Sequence, residues 1–307
     1  MAVINTGLLT KGLRSEFFDR LDATKTYFQD LSTRIQSNSD TETYKWLGSV
    51  PSMREWGTGR LARGMRSESY SVENLKYEAT IEVDRDEIAD DKTGQIRVRI
   101  GELAQRAATH KDFLLAQLLI NAETAGFNSY DGVTFFNDAH VSGDSGTQDN
   151  KLTTTAIDPN TPTVAEFQTA LRLMLGTMMG FKDERGDPMS LSATGLVILV
   201  PTTMYIAALE AVNSTVISST SNVLEGVARI IAVPWLSDAS KWYLLKTDGV
   251  LRPFIFQDRE PVEFTALTED SDEGFRREKF LYGVRARYRM TYGYWQFAVR
   301  LNFTGPA

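Results

Sequence analysis

The sequence predicts an α+β fold, and three regions of the chain carry that prediction. Apolar residues recur at helical spacing between positions 96 and 122, which indicates one long helix. Residues 164–245 alternate helical and strand-like apolar segments, as in an α/β unit. Residues 250–303 alternate aromatic or β-branched positions with polar ones, which is typical of long strands. A chain of 307 residues is long enough for one large domain or two ordinary ones.

Composition narrows the possible functions before any element is considered. Cysteine is absent and histidine occurs twice, so disulfides, thiolate metal sites and cysteine nucleophiles are excluded and few catalytic groups remain. The net charge of -7 argues against a general nucleic-acid binder, which needs an excess of lysine and arginine. No stretch approaches the roughly 18 uncharged apolar residues of a membrane helix, and no signal peptide is evident. We therefore expect no membrane contact and only weak, nonspecific contact with DNA.

Residues 1–45 are predicted to form an N-terminal arm of one or two amphipathic helices, because large apolar residues fall three or four positions apart. Such an arm needs a surface to pack on, either its own domain or a neighbouring copy of the chain. Packing on its own domain is the favoured alternative. The arm residues predicted to contact a neighbouring copy are Phe17, Phe18, Leu21 and Phe28.

Residues 46–82 are predicted to form a long β-hairpin. Glycine and proline break any helix there, and the flanking aromatic and β-branched residues are typical of strands. Its centre holds four arginines against one glutamate, a local charge of 4 − 1 = +3 in an acidic protein. A projecting basic ribbon indicates a binding partner. An equally weighted alternative is a solvated hairpin tip whose charges keep the protein soluble. The hairpin residues predicted to make contacts are Trp46, Arg54, Trp56, Arg60, Arg63 and Arg66.

An acidic stretch at residues 82–91 precedes the strongest helical pattern, which extends from Ile96 to about Ala122. About 27 residues at 1.5 Å each make a rod of about 40 Å. Anions are favoured at helix N-termini, so the aspartates of the acidic stretch are interpreted as helix-start residues rather than as a metal site. These aspartates are Asp86, Asp90 and Asp91.

The second half of the chain starts after a polar boundary at residues 127–162. We expect a helix over 164–179, a turn over 183–188, a strand over 195–200 and a helix over 201–212, followed by strands over 228–233 and 242–245. One further strand begins near residue 253, a loop spans 267–273, and a single long strand spans 280–303.

Residues 258–278 form an acidic interval that is predicted to receive the basic hairpin of another copy, with residues 82–91 as the second candidate. The interval contains eight acidic and three basic residues, 3 − 8 = −5. Opposite charges on separate segments of one chain suit a protein that binds copies of itself. The predicted contact residues in the interval are Asp258, Glu260, Glu263, Asp270, Asp272 and Glu273.

No segment carries a strong catalytic or metal-binding motif. A glycine-rich phosphate loop, a nucleophile elbow and a histidine pair at metal spacing are all missing from the sequence. His110 lies on the apolar face of the long helix and is interpreted as a core or edge residue. We therefore predict no catalytic residue, no cofactor and no metal, and keep a carboxylate-dependent hydrolase as the least favoured alternative. The groups interpreted as polar loop or turn residues are Asp131, Asp138 and His140, and Asp183, Glu184 and Asp187.

Five segments, in this order, resemble one known family, the Mu-like phage major head subunit, which has the Hong Kong 97 type of capsid fold. The likeness extends from about residue 10 to residue 303, and it depends on five weak matches in register. The segments are residues 44–48 with Pro51, Arg54, Glu55 and Trp56; residues 130–132 with Phe135, Phe136, Ala139 and His140; residues 195–200 with Pro201; residues 252–257; and residues 292–296.

The resemblance implies a structural protein whose copies form pentamers and hexamers of an icosahedral shell around packaged double-stranded DNA. It implies an arm at 1–45, an extended loop at 46–82, a peripheral domain at 83–149 with a spine helix and returning strands at 250–307, and an axial domain at 150–249. The resemblance further implies assembly in the bacterial host cytoplasm, a place in the virion and a portal partner, with scaffold, protease or decoration proteins as additional candidate partners.

The resemblance also leaves one departure and one alternative. Some relatives covalently link a loop lysine to a neighbour's asparagine, but residues 47–75 contain no lysine, so that cross-link is not expected from the loop. The alternative within the same fold is an encapsulin-like nanocompartment that encloses enzyme cargo. The contents of the shell, DNA or a tagged enzyme, would separate the two.

Overall fold

Two β-sheets and one long helix organise the chain in the computed structural model. The structure describes residues 6–44, 70–90, 94–189, 191–217 and 219–306. In chain order its elements are α1 (Thr6–Ala23), α2 (Phe28–Leu31), β1 (Ser32–Gln36), β2 (Thr41–Tyr44), β3 (Tyr70–Glu73), β4 (Leu75–Asp84), α3 (Arg85–Asp90), α4 (Gln95–Asn121), β5 (Lys151–Thr155), α5 (Val164–Met179), β6 (Leu196–Val200), α6 (Tyr205–Asn213), β7 (Val216–Ile217), β8 (Thr220–Ser221), β9 (Ala228–Ala232), β10 (Lys241–Lys246), β11 (Phe254–Leu267), α7 (Asp272–Arg277), β12 (Lys279–Tyr292) and β13 (Ala298–Thr304).

The first sheet has the strand order β1-β11-β12-β4, with β1 parallel to β11 and the other pairs antiparallel. Along β12 every second residue from Phe280 to Met290 is buried, as the alternating pattern predicts. Helices α1 and α4 supply the other side of this core, where Phe17 and Ile100 are fully buried. The sheet and the two helices therefore share one small apolar core.

The second sheet has the order β5-β13-β10-β6-β9 and carries the larger core. All five residues of β6 are buried, as expected for a central strand between β10 and β9. Helices α5 and α6 pack with each other. Thr163 and Glu166 form a capping box that fixes the start of α5, because each side chain accepts a backbone N–H of the other. The predicted helices and strands between residues 164 and 246 are confirmed.

The long helix is confirmed as α4, which has 27 residues. The interpretation of the acidic residues before it needs correction, because the first turn of α4 contains no acidic residue. Asp86 instead lies in the first turn of the separate short helix α3. Gly94, with a φ of 72° that favours glycine, immediately precedes α4. Asp91 lies outside the described residues.

The prediction of one strand over residues 280–303 is wrong. Strand β12 ends at Tyr292 in the first sheet, and β13 begins at Ala298 in the middle of the second sheet. The break lies at Gly293, whose N–H donates to the carbonyl of Pro253 at 2.8 Å. A Cβ at this position would come within 2.7 Å of the carbonyl oxygen of Arg252, so only glycine fits. The C-terminal segment thus joins the two sheets rather than returning to one of them.

The predicted hairpin is described only at its base. Strands β2 and β3 pair antiparallel from Thr41 opposite Glu73 to Tyr44 opposite Tyr70. The paired strands therefore begin earlier than residue 46, while residues 45–69 lie outside the described part of the chain.

The predicted loop over 267–273 ends in the short helix α7. Within the described residues, no helix combines the length and apolar character needed to cross a membrane.

Candidate subunit contact surfaces

A buried network of polar side chains holds the base of the hairpin against the first sheet. The hydroxyl of Tyr44 on β2 donates to Oε1 of Gln257 on β11 at 2.7 Å. The amide of Gln257, which has no exposed surface, donates in turn to Oδ1 of Asn74 at 2.8 Å. On β3 the hydroxyl of Tyr70 forms a 2.5 Å hydrogen bond with that of Thr291 on β12. Both strands at the base of the hairpin are therefore fastened to the first sheet.

The residues that this base would present to a neighbour lie outside the described residues. They are Trp46, Arg54, Trp56, Arg60, Arg63 and Arg66. These six residues stay a prediction, and sequence reasoning missed the network at the base of the hairpin. The available signal was Gln257, an amide that directly follows three apolar strand residues and needs a partner if it is buried with them.

Asp258 and Glu260, both predicted contact residues, already have partners within the chain. Arg34 on β1 donates from Nε to Oδ2 of Asp258 at 2.9 Å. Glu260 forms ion pairs with Arg285 at 2.7 Å and with Arg287 at 3.0 Å, both on β12. The pairing of β11 with β12 shifts register on both sides of Glu260, next to Pro261, which places this carboxylate between the two guanidiniums.

The electrostatics of this cluster follow from those pairs. Partial burial alone would raise the pKa of Glu260, but the hydrogen bonds and positive charges of Arg287 and Arg285 hold it below its usual value. Arg287 also donates to Asp40 at 2.8 Å, and this bond lowers the pKa of the Asp40 carboxyl. These carboxylates therefore stabilise β1, β11 and β12 of one subunit.

The remaining predicted acidic residues are Glu263, Asp270, Asp272 and Glu273, and they differ in whether they form ion pairs within the chain. Asp272 pairs with Arg276 at 2.9 Å and Glu273 with Arg277 at 3.5 Å, each one turn apart along α7. Glu263 is exposed and lies opposite Arg285 in the strand register. Asp270 is exposed in the loop before α7, without an ion pair in the described part of the chain. Among the predicted acidic residues, Glu263 and Asp270 are therefore the ones that form no ion pair within the described part of the chain.

The arm packs mainly on its own subunit. Phe17 is fully buried, with its ring centroid 5.1 Å from that of Phe264 on β11. Phe28 is 5% exposed and contacts Phe256. In this conformation neither ring has surface left for a neighbouring copy, which corrects the prediction for these two residues. Phe18 and Leu21 are only partly buried and remain available for a contact.

Asp112 on α4 connects the arm to the long helix. Its Oδ1 accepts the backbone N–H groups of Tyr27 at 3.1 Å and Phe28 at 2.8 Å, at the start of α2. Burial raises the pKa of Asp112 to about 6, and the two backbone hydrogen bonds oppose that shift only in part. The Asp112 carboxyl therefore holds the start of α2 against α4, and its pKa is higher than that of an ordinary aspartate.

His140 lies in a loop of polar residues, as predicted, and the loop buries it. It has no exposed surface, and its Nδ1 lies 2.5 Å from Oδ2 of Asp131. Its Nε2 lies 3.2 Å from Oδ1 of Asn150, so both ring nitrogens have an oxygen partner. The ring stacks on Trp295 with 4.1 Å between centroids. His140 is therefore a structural residue of this loop.

His110 lies on α4 at the edge of the core, as the sequence predicts. Its Nδ1 forms a 2.7 Å hydrogen bond with the hydroxyl of Tyr288, and its ring contacts Tyr77. Burial lowers the pKa of His110.

The carboxylates around Gly186 form a turn, in which Oδ1 of Asp183 accepts the N–H groups of Arg185 and Asp187. Among the described residues, no three acidic or histidine side chains converge as a metal site requires.

Comparison with known proteins shows which parts of the chain resemble a known family. The family profile described as the Mu-like prophage major head subunit gpT matches residues 7–164 and 237–304. The matched ranges include all four strands of the first sheet, α4, and the strands β5, β10 and β13 of the second sheet. They leave out residues 165–236, which contain most of α5 and the elements from β6 to β9.

Two curated relatives align with the chain over 290 residues, which is 94% of this chain and 70% of each relative. The Mu-like prophage FluMu major head subunit of Haemophilus influenzae is 25% identical, and the major capsid protein of Escherichia phage Mu is 26% identical. Among solved structures, the procapsid of bacteriophage JBD30 superposes with a TM-score of 0.60 at 22% identity, covering 98% of this chain and 76% of that chain. This likeness confirms the predicted capsid fold.

Proposed function

Because the chain belongs to the Mu-like prophage major head subunit family, and is therefore a major capsid protein and part of a virion, we propose that it assembles into pentamers and hexamers. These capsomers close into the icosahedral head of a tailed double-stranded DNA phage or prophage. The observation that carries the proposal is the family match over residues 7–164 and 237–304. Assembly takes place in the cytoplasm of the bacterial host.

The hairpin is the first proposed contact between subunits. Its base is fastened to β11 and β12 by buried hydrogen bonds, which supports a role as a lever that reaches over a neighbour. Arg54, Arg60, Arg63 and Arg66 then meet acidic side chains of the adjacent subunit. Since Asp258 and Glu260 already bind arginines of their own subunit, the proposed partners are Glu263 and the exposed acidic residues of β4 and α3.

The shell is held by noncovalent contacts in this proposal. Residues 47–75 contain no lysine that would form a cross-link from the loop. Each exposed ion pair contributes only about 0 to 1 kcal/mol, but a shell repeats each pair in every subunit. The proposed partners beyond self are a portal protein and, in addition, scaffold, protease or decoration proteins. Packaged DNA makes weak, nonspecific contact with a subunit whose net charge is -7.

The proposed subunit has no enzymatic role. His140 and His110, the two histidines, are engaged in buried or half-buried structural contacts, which supports that view. A nanocompartment that encloses an enzyme is the competing function within the same fold, and the family match does not favour it.

Analysis of the particle contents tests the proposed function. Particles would be purified from an induced host that carries the complete set of head genes and then treated with nuclease. We expect protected double-stranded DNA of uniform length inside the particles. A protected enzyme without DNA would contradict the head function and favour the nanocompartment.

A further inference from the structure

An open pocket beside the arm contains a lysine that has no carboxylate partner. The pocket has a volume of about 620 Å³ and lies between the end of α1, the start of β1 and the middle of β11. Lys111 of α4 lines it. Phe18 and Leu21, two partly exposed residues of the arm, also line the pocket, together with Val250, which is 95% exposed.

Three aromatic rings surround the Lys111 ammonium. Its Nζ lies 5.1 Å from the ring centroids of Phe28 and Phe256 and 5.5 Å from that of Tyr288. The two nearest carboxylates are used elsewhere, since Asp258 binds Arg34 and Asp112 accepts backbone N–H groups. In the described part of the chain, Lys111 forms no ion pair with either of them. Burial lowers the pKa of Lys111, as expected for a cation without a close counterion.

The pocket, which is also lined by Asp22, Asp258, Arg34 and Arg252, presents Lys111 beside aromatic rings and therefore suits an apolar or aromatic group next to a carboxylate. The tip that contains α7 offers this combination. Phe275 on α7 is 86% exposed. The exposed Asp270 precedes the helix, and Ser271 caps the helix by accepting the N–H of Gly274 at 3.1 Å. The cap gives the tip a defined shape, so its aromatic ring and its carboxylate are presented together.

The tip cannot reach the pocket of its own subunit. Strand β11 leaves the pocket at Val262 and remains paired with β12 as far as Leu267, which is about 16 Å further at about 3.3 Å per residue. Helix α7 lies beyond that closed end of the β11–β12 pair. An α7 tip that enters this pocket must therefore belong to another copy of the chain.

We propose that the Lys111 pocket receives the α7 tip of a neighbouring copy, with Phe275 entering between the aromatic side chains and Asp270 approaching the ammonium. This inference rests on the proposed function, since it requires assembly. The contact joins two different surfaces of the subunit, and head-to-tail contacts of this kind generate closed rings when the rotation between copies closes. A pentamer or hexamer is such a ring.

Cysteine cross-linking tests the contact directly, because the natural chain has no cysteine. Val250→Cys in the pocket lining and Phe275→Cys on the tip both replace highly exposed residues, so the fold should tolerate them. Assembled particles of the double variant would be treated with a short bis-maleimide and separated on a denaturing gel. We expect a ladder of covalent dimers and larger oligomers. Each single variant should remain monomeric, and so should the matched pair Phe275→Cys with Val223→Cys, whose second site is 79% exposed and does not line the pocket.

Two further variants test the energetics. Lys111→Met keeps the apolar stem and removes the charge, while Phe275→Ser removes the ring. Each should raise the subunit concentration needed for assembly by about tenfold or more, whereas Val98→Ser, at a 62% exposed residue of α4, should not. Particles that form normally and show no ladder would overturn the contact. Failure of the unmodified chain to form particles would contradict the proposed function itself.

Discussion

At the scale of single residues, the most informative side chains are polar groups that the fold buries. Asp112 and His140 are 3% and 0% exposed, and each has hydrogen-bond partners that are distant in the sequence. Neither forms part of a catalytic or metal-binding arrangement among the described residues. Their burial predicts effects on stability.

Asp112 makes the stability of the subunit depend on pH. Its pKa is about 6 in the folded chain and 3.8 in a model peptide, so between these values the folded chain holds a proton that the unfolded chain has released. The stabilising contribution is complete below about pH 4 and is lost as the pH rises through about 6. Urea unfolding of the wild type and of Asp112→Asn should show the wild type losing about 1 to 3 kcal/mol relative to the variant across this range. Parallel pH profiles would contradict the assignment.

His140 should matter more for stability than His110. His140→Ala removes the hydrogen bond to Asp131, which leaves this buried side chain unpaired at a cost of about 1 to 3 kcal/mol, and it also removes the ring that stacks on Trp295. His110→Ala removes one hydrogen bond to Tyr288 at a half-buried site, at a cost of about 1 kcal/mol. Thermal or urea unfolding of both variants measures the difference. Equal destabilisation would show that the Asp131 pair does not hold the loop.

At the scale of elements, the attachment of the hairpin base depends on one amide. Gln257→Leu keeps the size of the side chain but leaves the Tyr44 hydroxyl and Asn74 without their partner. We expect a loss of about 2 to 4 kcal/mol in the free energy of unfolding, because the buried hydrogen bonds of Gln257 to Tyr44 and Asn74 are lost. Gln105→Leu on the exposed face of α4 is the matched control and should change little. If Tyr44→Phe in the Gln257→Leu background recovers none of the loss, the network is not responsible.

The sequence predicts elements well where a single periodicity governs them. Helix α4 is predicted correctly because apolar residues recur on each of its turns. Strand β6 is predicted correctly because all five of its residues are apolar and buried. The break at Gly293 was missed because the residues on both sides alternate in the same way, and only the close approach of the Arg252 carbonyl reveals the turn. The Tyr44–Gln257 bond joins residues 213 positions apart, a distance over which no sequence pattern specifies a pair.

The sequence predicts the sign of the charge on the candidate surfaces, but it does not predict which carboxylates remain free of partners within the subunit. A count over residues 258–278 treats each carboxylate as free. The register of β11 against β12 decides that Glu260 meets Arg285 and Arg287, whereas Glu263 and Asp270 remain exposed. Similarly, the Lys111 pocket combines residues of α1, α2, α4 and β11, which become neighbours only in the fold.

At the scale of the whole molecule, the net charge of -7 combines a basic hairpin with acidic surfaces. Replacing Arg54, Arg60, Arg63 and Arg66 by glutamate should abolish or weaken shell assembly while the subunit stays folded, because the hairpin would then repel the neighbour's carboxylates. Replacing the same four residues by lysine keeps the charge and should preserve most assembly. Sedimentation velocity measures assembly and circular dichroism measures folding. Normal shells of the glutamate variant at ordinary salt would refute the hairpin contact.

Electron microscopy of the purified chain tests the central claim, self-assembly of a capsid subunit, most directly. The chain would be expressed alone, purified at high subunit concentration and imaged in negative stain. We predict uniform closed particles or capsomer rings with five or six subunits, in keeping with the cyclic symmetry of head-to-tail contacts. A strictly monomeric protein that forms neither particles nor rings under any condition would contradict the claim.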